Sequence, residues 1–231
     1  MSHSLNQFAY VPGTANYQFG YNSIPNMLIS NAPADTDWAR WAMLYDGSFY
    51  RLYFFQRLSN DKLYQFAFNS ATAHYEFGFN SIPILRLTGT PPGTSADSFA
   101  MLHDGTYYRL YLRESGHPET LVQYAFNPAT SNYEFGHMSI PRINVTNIPA
   151  QTDMHRWNML HDGSAYRLYA FAVGSNSVFY QASFNSAASE YQFGFNSIPV
   201  LNLINAPANS NFSSFAMLHD RSYYRFYLQT I

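Results

Sequence analysis

Short apolar and aromatic runs separated by polar turns recur along the chain. In one stretch, SFAMLH (98–103) is followed by the dipeptide DG and by the alternating run YYRLYLR (107–113). A DG pair between two such runs is a strong signal for a tight hairpin. A polar loop then leads to LVQYAFN (121–127), and PATSN leads to YEFG (133–136). No window shows the 3.6-residue apolar period and the caps of a long helix, so the pattern predicts strands.

The whole pattern returns with a period of 58 residues. The motif Y-Q/E-F-G ends at Gly20, Gly78, Gly136 and Gly194. The segment that reads MLHDGTYYRLY in its second copy begins at Met43, Met101, Met159 and Met217. No insertion or deletion interrupts the spacing, so four units account for the 231 residues. A fixed period of this kind is the signature of a repeat architecture.

Four short strands per unit, joined by hairpins, predict an all-β, four-bladed β-propeller that forms one domain over 1–231. The long connection after each SIP triplet accounts for the excess over known blade repeats of about 40–50 residues. The units run over 7–64, 65–122 and 123–180, and the fourth combines 181–231 with the N-terminal strands. One blade is therefore predicted to contain both ends of the chain. Two β-sandwich halves or a linear β array are alternatives, but both leave sheet edges exposed.

Composition excludes several classes of protein. Aromatic residues make up 19% of the chain and charged residues 11%, against roughly 25% charged residues in an average domain. The net charge of −2 with only 12 Lys and Arg argues against a nucleic-acid partner, and the lack of cysteine excludes disulfides and thiolate metal sites. No segment resembles a signal peptide or a membrane span, so we expect a cytoplasmic protein that does not insert into membranes. Non-classical secretion would leave no signal in the sequence.

Fourteen positions are identical in all four units, and most of them predict packing between units. We expect Gly20 and its equivalents to adopt positive φ, and Gln7 and its equivalents to cap buried backbone groups. In the numbering of the first unit the identical residues are Gln7, Tyr17, Phe19, Gly20, Ser23, Ile24, Pro25, Pro33, Met43, Leu44, Asp46, Tyr50, Arg51 and Tyr53.

Two of the identical positions carry charge, in the DG turn and in the strand that follows it. They are occupied by Asp46, Asp104, Asp162 and Asp220, and by Arg51, Arg109, Arg167 and Arg225. Aspartate at a hairpin turn commonly bonds to nearby backbone amides, and a buried guanidinium needs partners. We therefore expect a hydrogen-bonded brace across the hairpin or between neighbouring units. A ligand contact repeated four times is the alternative.

Histidine suggests a second kind of site. One equivalent position, at the end of the predicted innermost strand, is occupied by Tyr45, His103, His161 and His219. Such side chains near a central axis would form a metal ring, since neutral imidazole binds zinc, copper, iron or nickel. Packed side chains at the mouth of a channel are the alternative.

The three tryptophans, Trp38, Trp41 and Trp157, lie in the segment before the first strand, where the units differ most. Position 41 is aromatic in every unit, which indicates packing. Position 38 has unrelated counterparts, so Trp38 is free to be a surface contact. Variable segments on a rigid scaffold often carry binding residues, and the three tryptophans are therefore candidates for ligand contact.

The sequence contains no constellation typical of an enzyme and no signal for a cofactor. Equivalent polar and aromatic pockets suit a multivalent, lectin-like protein that binds glycans, because sugar faces stack on aromatic rings while polar side chains bond to hydroxyls. The aromatic strand after each DG turn and the IP dipeptide resemble the hemopexin-like propellers and, more loosely, propeller lectins. That resemblance implies binding of haem, polyamines, matrix proteins or channel ions. The alternatives are a small-ligand or metal-ion binder at the channel mouth, and a structural or protein-interaction module that forms a homo-oligomer.

Overall fold

The computed structural model of the chain describes residues 3–230. The two ends of the predicted 1–231 domain, Met1–Ser2 and Ile231, lie outside this range. The described residues form twenty strands, numbered β1 to β20 along the chain, in one mixed sheet. They include no long apolar helix of the kind that crosses a membrane.

The strands recur with a period of five, so each strand has three equivalents. The strand that enters the DG turn is β4 (Thr36–Tyr45), β9 (Thr94–His103), β14 (Thr152–His161) or β19 (Ser210–His219). The strand that leaves it is β5 (Tyr50–Gln56), β10 (Tyr108–Glu114), β15 (Tyr166–Ala172) or β20 (Tyr224–Thr230). The next strand is β1 (His3–Tyr10), β6 (Lys62–Asn69), β11 (His117–Asn127) or β16 (Val178–Asn185).

Two shorter strands complete each period. The first is β2 (Asn16–Phe19), β7 (His74–Phe77), β12 (Asn132–Phe135) or β17 (Glu190–Phe193). The second is β3 (Met27–Ser30), β8 (Ile84–Thr88), β13 (Arg142–Thr146) or β18 (Leu201–Ile204). We call these last four the linking strands. The four strands that the sequence predicts in the second unit are all present, as β9 to β12, but the linking strands lie in segments that were expected to be loops.

The linking segments show the alternation of buried and exposed side chains that is typical of strands. In ILRLT the side chains of Leu85 and Leu87 are buried while Arg86 between them is exposed. RINVT repeats this alternation with Ile143 and Val145. A period of two with one buried face is typical of a strand. The prediction of four strands per unit is therefore wrong by one, because each of these runs is only four or five residues long.

Antiparallel pairing divides the other sixteen strands into four sets. Set 1 is β4 to β7, set 2 is β9 to β12, set 3 is β14 to β17, and set 4 is β19, β20, β1 and β2. Set 4 combines both ends of the described chain, since Leu5 to Ala9 of β1 pair with Gln229 to Arg225 of β20.

Linking strands join each set to the next. Strand β8 pairs antiparallel with β6 of set 1 and parallel with β12 of set 2. Strands β13, β18 and β3 make the corresponding pairs around the molecule. The backbone hydrogen bonds therefore form a ring, and the strands β4, β9, β14 and β19 contact one another at its centre.

The core consists of four apolar clusters, each between two neighbouring sets. The cluster between sets 1 and 2 contains Tyr53 and Phe55 from one side and Phe99 and Met101 from the other. The other three clusters lie between the remaining pairs of neighbours. Successive side chains of a strand point to opposite faces, so each set contributes to two clusters.

Candidate functional site

Each Asp–Arg pair forms a brace inside its hairpin. Arg109 Nε donates to Asp104 Oδ2 at 2.5 Å, and the backbone N–H groups of Thr106 and Tyr107 donate to Asp104 Oδ1 at 3.0 and 2.7 Å. The hydroxyl of Tyr166, from the next set, donates to Asp104 Oδ2 at 3.2 Å. The same bonds occur at Asp46, Asp162 and Asp220. The brace expected from the sequence is therefore present and extends between neighbours.

These bonds leave the four aspartates, which were candidates for ligand contact, with few free acceptor positions. Burial alone would raise the pKa of Asp104, but the Tyr107 N–H, the Arg109 guanidinium and the Thr106 N–H together hold it below its ordinary value. The aspartate side chains are only 2–4% exposed, and both oxygens already accept hydrogen bonds. They are structural groups with little capacity left for a ligand.

The arginines of the braces, in contrast, line four equivalent pockets between neighbouring sets. We name these the Arg51, Arg109, Arg167 and Arg225 pockets, and their cavity volumes are about 260, 260, 500 and 360 Å³. The side chains of these arginines are 11–17% exposed. In each braced hairpin Nη1 also donates to a backbone carbonyl of the loop that borders the pocket: Asn80, Met138, Asn196 or Asn22.

Aromatic rings form much of the pocket walls. In the Arg51 pocket they are Tyr53 of set 1 and Tyr108, Phe126 and Tyr133 of set 2. An isoleucine lies at every rim: Ile82, Ile140, Ile198 and Ile24 are 40, 41, 38 and 49% exposed. The pockets therefore present apolar ring surface next to a cation.

A glutamine beneath each pocket connects its walls. Gln65 Oε1 accepts from the backbone N–H of Ile82 at 3.0 Å, and Gln65 Nε2 donates to the Tyr53 hydroxyl at 2.7 Å. Gln7, Gln123 and Gln181 make the equivalent bonds. The sequence-based expectation that these glutamines cap buried backbone groups is confirmed.

A serine in each pocket has unused hydrogen-bonding capacity. The buried hydroxyls of Ser23, Ser139 and Ser197 have no hydrogen-bond partner among residues 3–230. Their equivalent, Ser81, makes only a 3.4 Å bond to the Gln65 carbonyl oxygen. Buried polar groups are normally paired, so an unpaired hydroxyl at the same place in three pockets requires an explanation.

The three tryptophans are not pocket residues. Trp41 and Trp157 are 2% exposed, and their Nε1 atoms donate to Ser214 Oγ at 2.6 Å and Ser98 Oγ at 2.8 Å in neighbouring sets. Trp38 is partly buried and stacks on His3 with ring centroids 3.5 Å apart. Two of the three candidate rings are therefore buried, and the third is partly exposed with one face stacked on histidine.

The residues of the predicted metal ring do lie together, around a cavity of about 400 Å³ on the axis. However, no group of three or more His, Asp or Glu side chains within the described chain has the geometry to hold a metal ion. The rings instead pack on the tyrosines of the following strand, with centroids 4.6 Å apart for each histidine and 4.8 Å for Tyr45. Burial lowers the pKa values of His103, His161 and His219, although the nearby aspartates act in the opposite direction.

Sequence reasoning placed the four arginines among its candidates but missed the serines, the rim isoleucines and the pocket tyrosines. A signal was present, because Ser23, Ile24, Tyr50 and Tyr53 are identical in every unit. The sequence pattern predicts a packing role for Ile24 and for most of the identical positions, and no ligand contact at these four. The period alone does not reveal that these side chains, from two neighbouring units, line the same pocket.

Comparison with known proteins finds similarity only to solved structures, and at low sequence identity. No protein-family model matches the chain, and no curated protein matches it. The resemblance to hemopexin-like propellers therefore stays a prediction.

Two solved structures are similar to the chain at low identity. One is the SapL1 lectin in complex with alpha methyl fucoside, at 12% identity and a TM-score of 0.38, over 84% of this chain and 56% of that one. The other is AofleA from Arthrobotrys oligospora, at 9% identity and a TM-score of 0.33, over 77% of this chain and 44% of that one. The chain thus spans about half the length of each.

Proposed function

We propose that the protein is a non-enzymatic, multivalent carbohydrate-binding protein that holds one small sugar in each of its four arginine pockets. We also propose that the four sets are the blades of a four-bladed β-propeller, with set 4 closing the ring. In this proposal each binding site lies between two blades. Four blades in a ring have four boundaries, and each boundary contains one site.

The repetition of one pocket carries the proposal. A sugar has apolar ring faces and a rim of hydroxyls, and each pocket offers both kinds of partner. The aromatic walls and the rim isoleucine suit the ring faces, while the guanidinium suits the hydroxyls. The Arg167 and Arg225 pockets, at about 500 and 360 Å³, fall within the range of roughly 300–1,000 Å³ that is typical of small-ligand sites, and the other two, at about 260 Å³, lie just below it.

Multivalency gives the fourfold arrangement a functional consequence. Linked sites raise overall avidity by about 10²–10⁴ over single-site affinity when the partner presents several copies of the ligand. Weak binding in each shallow pocket is then sufficient for tight attachment to a glycan-bearing surface.

A glycan array identifies the sugar, and calorimetry with that sugar then gives the number of sites. Alpha methyl fucoside is one of the probes, together with the common hexoses and N-acetylhexosamines. We expect up to four sites in the wild-type protein. Ile82→Ser removes apolar rim surface from the Arg51 pocket, so we expect a loss of about tenfold or more in affinity at that site.

The matched control is Leu58→Ser, which removes a 99% exposed side chain outside the pockets and is expected to leave binding unchanged. A variant with serine at Ile24, Ile82, Ile140 and Ile198 together should lose binding at all four sites. The proposal is wrong if no glycan binds, or if this fourfold variant binds as the wild type does.

A further inference from the structure

The axial cavity contains more potential positive charge than the arginine pockets do. Its lining includes His103, His161 and His219, each about half-buried, and Arg221. Tyr45 completes the ring, with its hydroxyl bonded to the Gly47 carbonyl oxygen at 2.9 Å. The cavity is separate from the four arginine pockets and shares none of their lining residues.

Arg221 departs from the repeat in both sequence and backbone. The other three turns have glycine at this position, with φ between 91° and 95°, whereas Arg221 has φ of 75°. Left-handed backbone is unfavourable for a residue with a side chain, so this substitution is costly for the turn. The guanidinium lies against Gly47 of set 1, where an added Cβ would be 2.6 Å from Nη2. It takes part in no ion pair with residues 3–230.

The carboxylates that border the cavity do not cancel this charge. Asp46, Asp104 and Asp162 line the cavity, whereas Asp220 does not, and all four are neutralised by the arginine of their own hairpin. Their oxygens point into the braces and also accept the tyrosine hydroxyls of the next set. The remaining charged group at neutral pH is therefore Arg221, and acidification adds charge at up to three imidazoles.

We propose that the axial cavity binds an oxyanion of the sulfate or phosphate type, held by Arg221 and by the imidazolium groups of His103, His161 and His219. Arginine presents planar donors that match such an oxyanion, and imidazolium donates from both ring nitrogens. Binding strengthens as the pH falls from 7.5 towards 5.5, because protonation of the imidazoles adds positive charge beside Arg221; burial moves this protonation towards lower pH, and the bound anion moves it back. Because anion binding and histidine protonation are thermodynamically coupled, the bound anion must in turn raise the pKa values of these histidines.

Calorimetric titration with sodium sulfate tests the proposal, since sulfate keeps its charge over the whole interval. We expect saturable binding of one anion, with an affinity about tenfold or more higher at pH 5.5 than at pH 7.5. Arg221→Gln should weaken this binding at least tenfold. Arg57→Gln removes the same charge from an exposed turn and should have no effect. Arg221→Gly gives the fourth turn the residue of the other three and should also weaken binding.

Histidine titrations by NMR give a second readout on the unaltered protein. Sulfate should raise the apparent pKa values of His103, His161 and His219, whereas the NMR signals of the exposed His117 should not respond to sulfate. The proposal is overturned if sulfate does not bind saturably at pH 5.5, if Arg221→Gln and Arg57→Gln behave alike, or if the three axial histidines do not respond. None of these outcomes depends on sugar binding, so the two proposals can fail separately.

Discussion

At the scale of single residues, the Asp–Arg braces are stabilising only as complete units. The carboxylate of Asp104 accepts from two backbone amides, a guanidinium and a tyrosine of the next set, with its side chain 4% exposed. Removal of one member of a buried charge pair leaves the other without a partner in a region of low dielectric. The brace therefore determines both the shape of the turn and the position of the arginine in the pocket.

Asp104→Ala should destabilise the protein by about 3–5 kcal/mol, because it leaves Arg109 unpaired and two turn amides unbonded. Asp61→Ala is the matched control, since its pair with Arg86 is 52–53% exposed and should contribute less than about 1 kcal/mol. Chemical denaturation of both variants measures the difference. Equal losses in the two variants would contradict the structural role of the brace.

The residue scale also shows how far sequence reasoning reached. The turn role of the aspartates and their pairing with arginine followed from residue chemistry and a spacing of five. The burial of Trp157 could be anticipated because position 41 and its equivalents are always aromatic. The position of Trp38 against His3 could not, because this contact joins β4 to the distant β1 strand and no local pattern encodes it.

At the scale of elements, the central strands meet at four boundaries, and two of these contain a hydrogen bond from tryptophan to serine. Between sets 4 and 1 Trp41 donates to Ser214, and between sets 2 and 3 Trp157 donates to Ser98. The equivalent positions in sets 2 and 4 carry Phe99 and Phe215, which have no donor. The backbone therefore repeats four times, whereas the central side chain alternates between tryptophan and phenylalanine from one set to the next.

Trp41→Phe should cost about 1–3 kcal/mol, because the Ser214 hydroxyl loses its buried partner. Ser214→Ala in the same protein should recover part of that loss, and the double-mutant cycle should give a coupling energy of about 0.5–1.5 kcal/mol. The cycle of Trp157→Phe with Ser98→Ala should give a similar value. Purely additive effects at both boundaries would show that these hydrogen bonds contribute nothing to stability.

The linking strands mark the limit of prediction for elements. A run such as ILRLT is short, follows a proline and carries charge, so it resembles a loop when it is read alone. It becomes a strand because β6 and β12 offer backbone partners on both sides. Those partners belong to two different units, so the strand is specified by tertiary context more than by local sequence.

For the whole molecule, the dominant buried polar group is the tyrosine hydroxyl. Two tyrosine positions that are identical in every unit are fully buried between the sets, and they are occupied by Tyr17, Tyr75, Tyr133 and Tyr191, and by Tyr53, Tyr111, Tyr169 and Tyr227. Burial raises the pKa of every one of them. All four boundaries therefore depend on tyrosines that stay protonated.

Stability should be lost as the pH rises above about 10, where tyrosine in the unfolded chain ionises. A group whose pKa is raised by folding stabilises the fold at lower pH and loses this contribution as the pH rises. Each such tyrosine should contribute about 1.4 kcal/mol per pH unit. Lys62 is the only lysine, so lysine ionisation interferes little. Denaturation midpoints between pH 8 and pH 11 measure the loss, and a constant midpoint across that interval would contradict it.

The alternation of tryptophan and serine at the centre has a consequence for symmetry. The bond from Trp41 to Ser214 becomes the bond from Trp157 to Ser98 when the molecule is turned by half a revolution. The chain is thus a covalent pseudo-dimer of two halves whose equivalent residues are 116 positions apart, and each half contains one donor and one acceptor. Such halves are self-complementary in the manner of an isologous interface. The protein is built like a homodimer whose two subunits have been joined into a single chain.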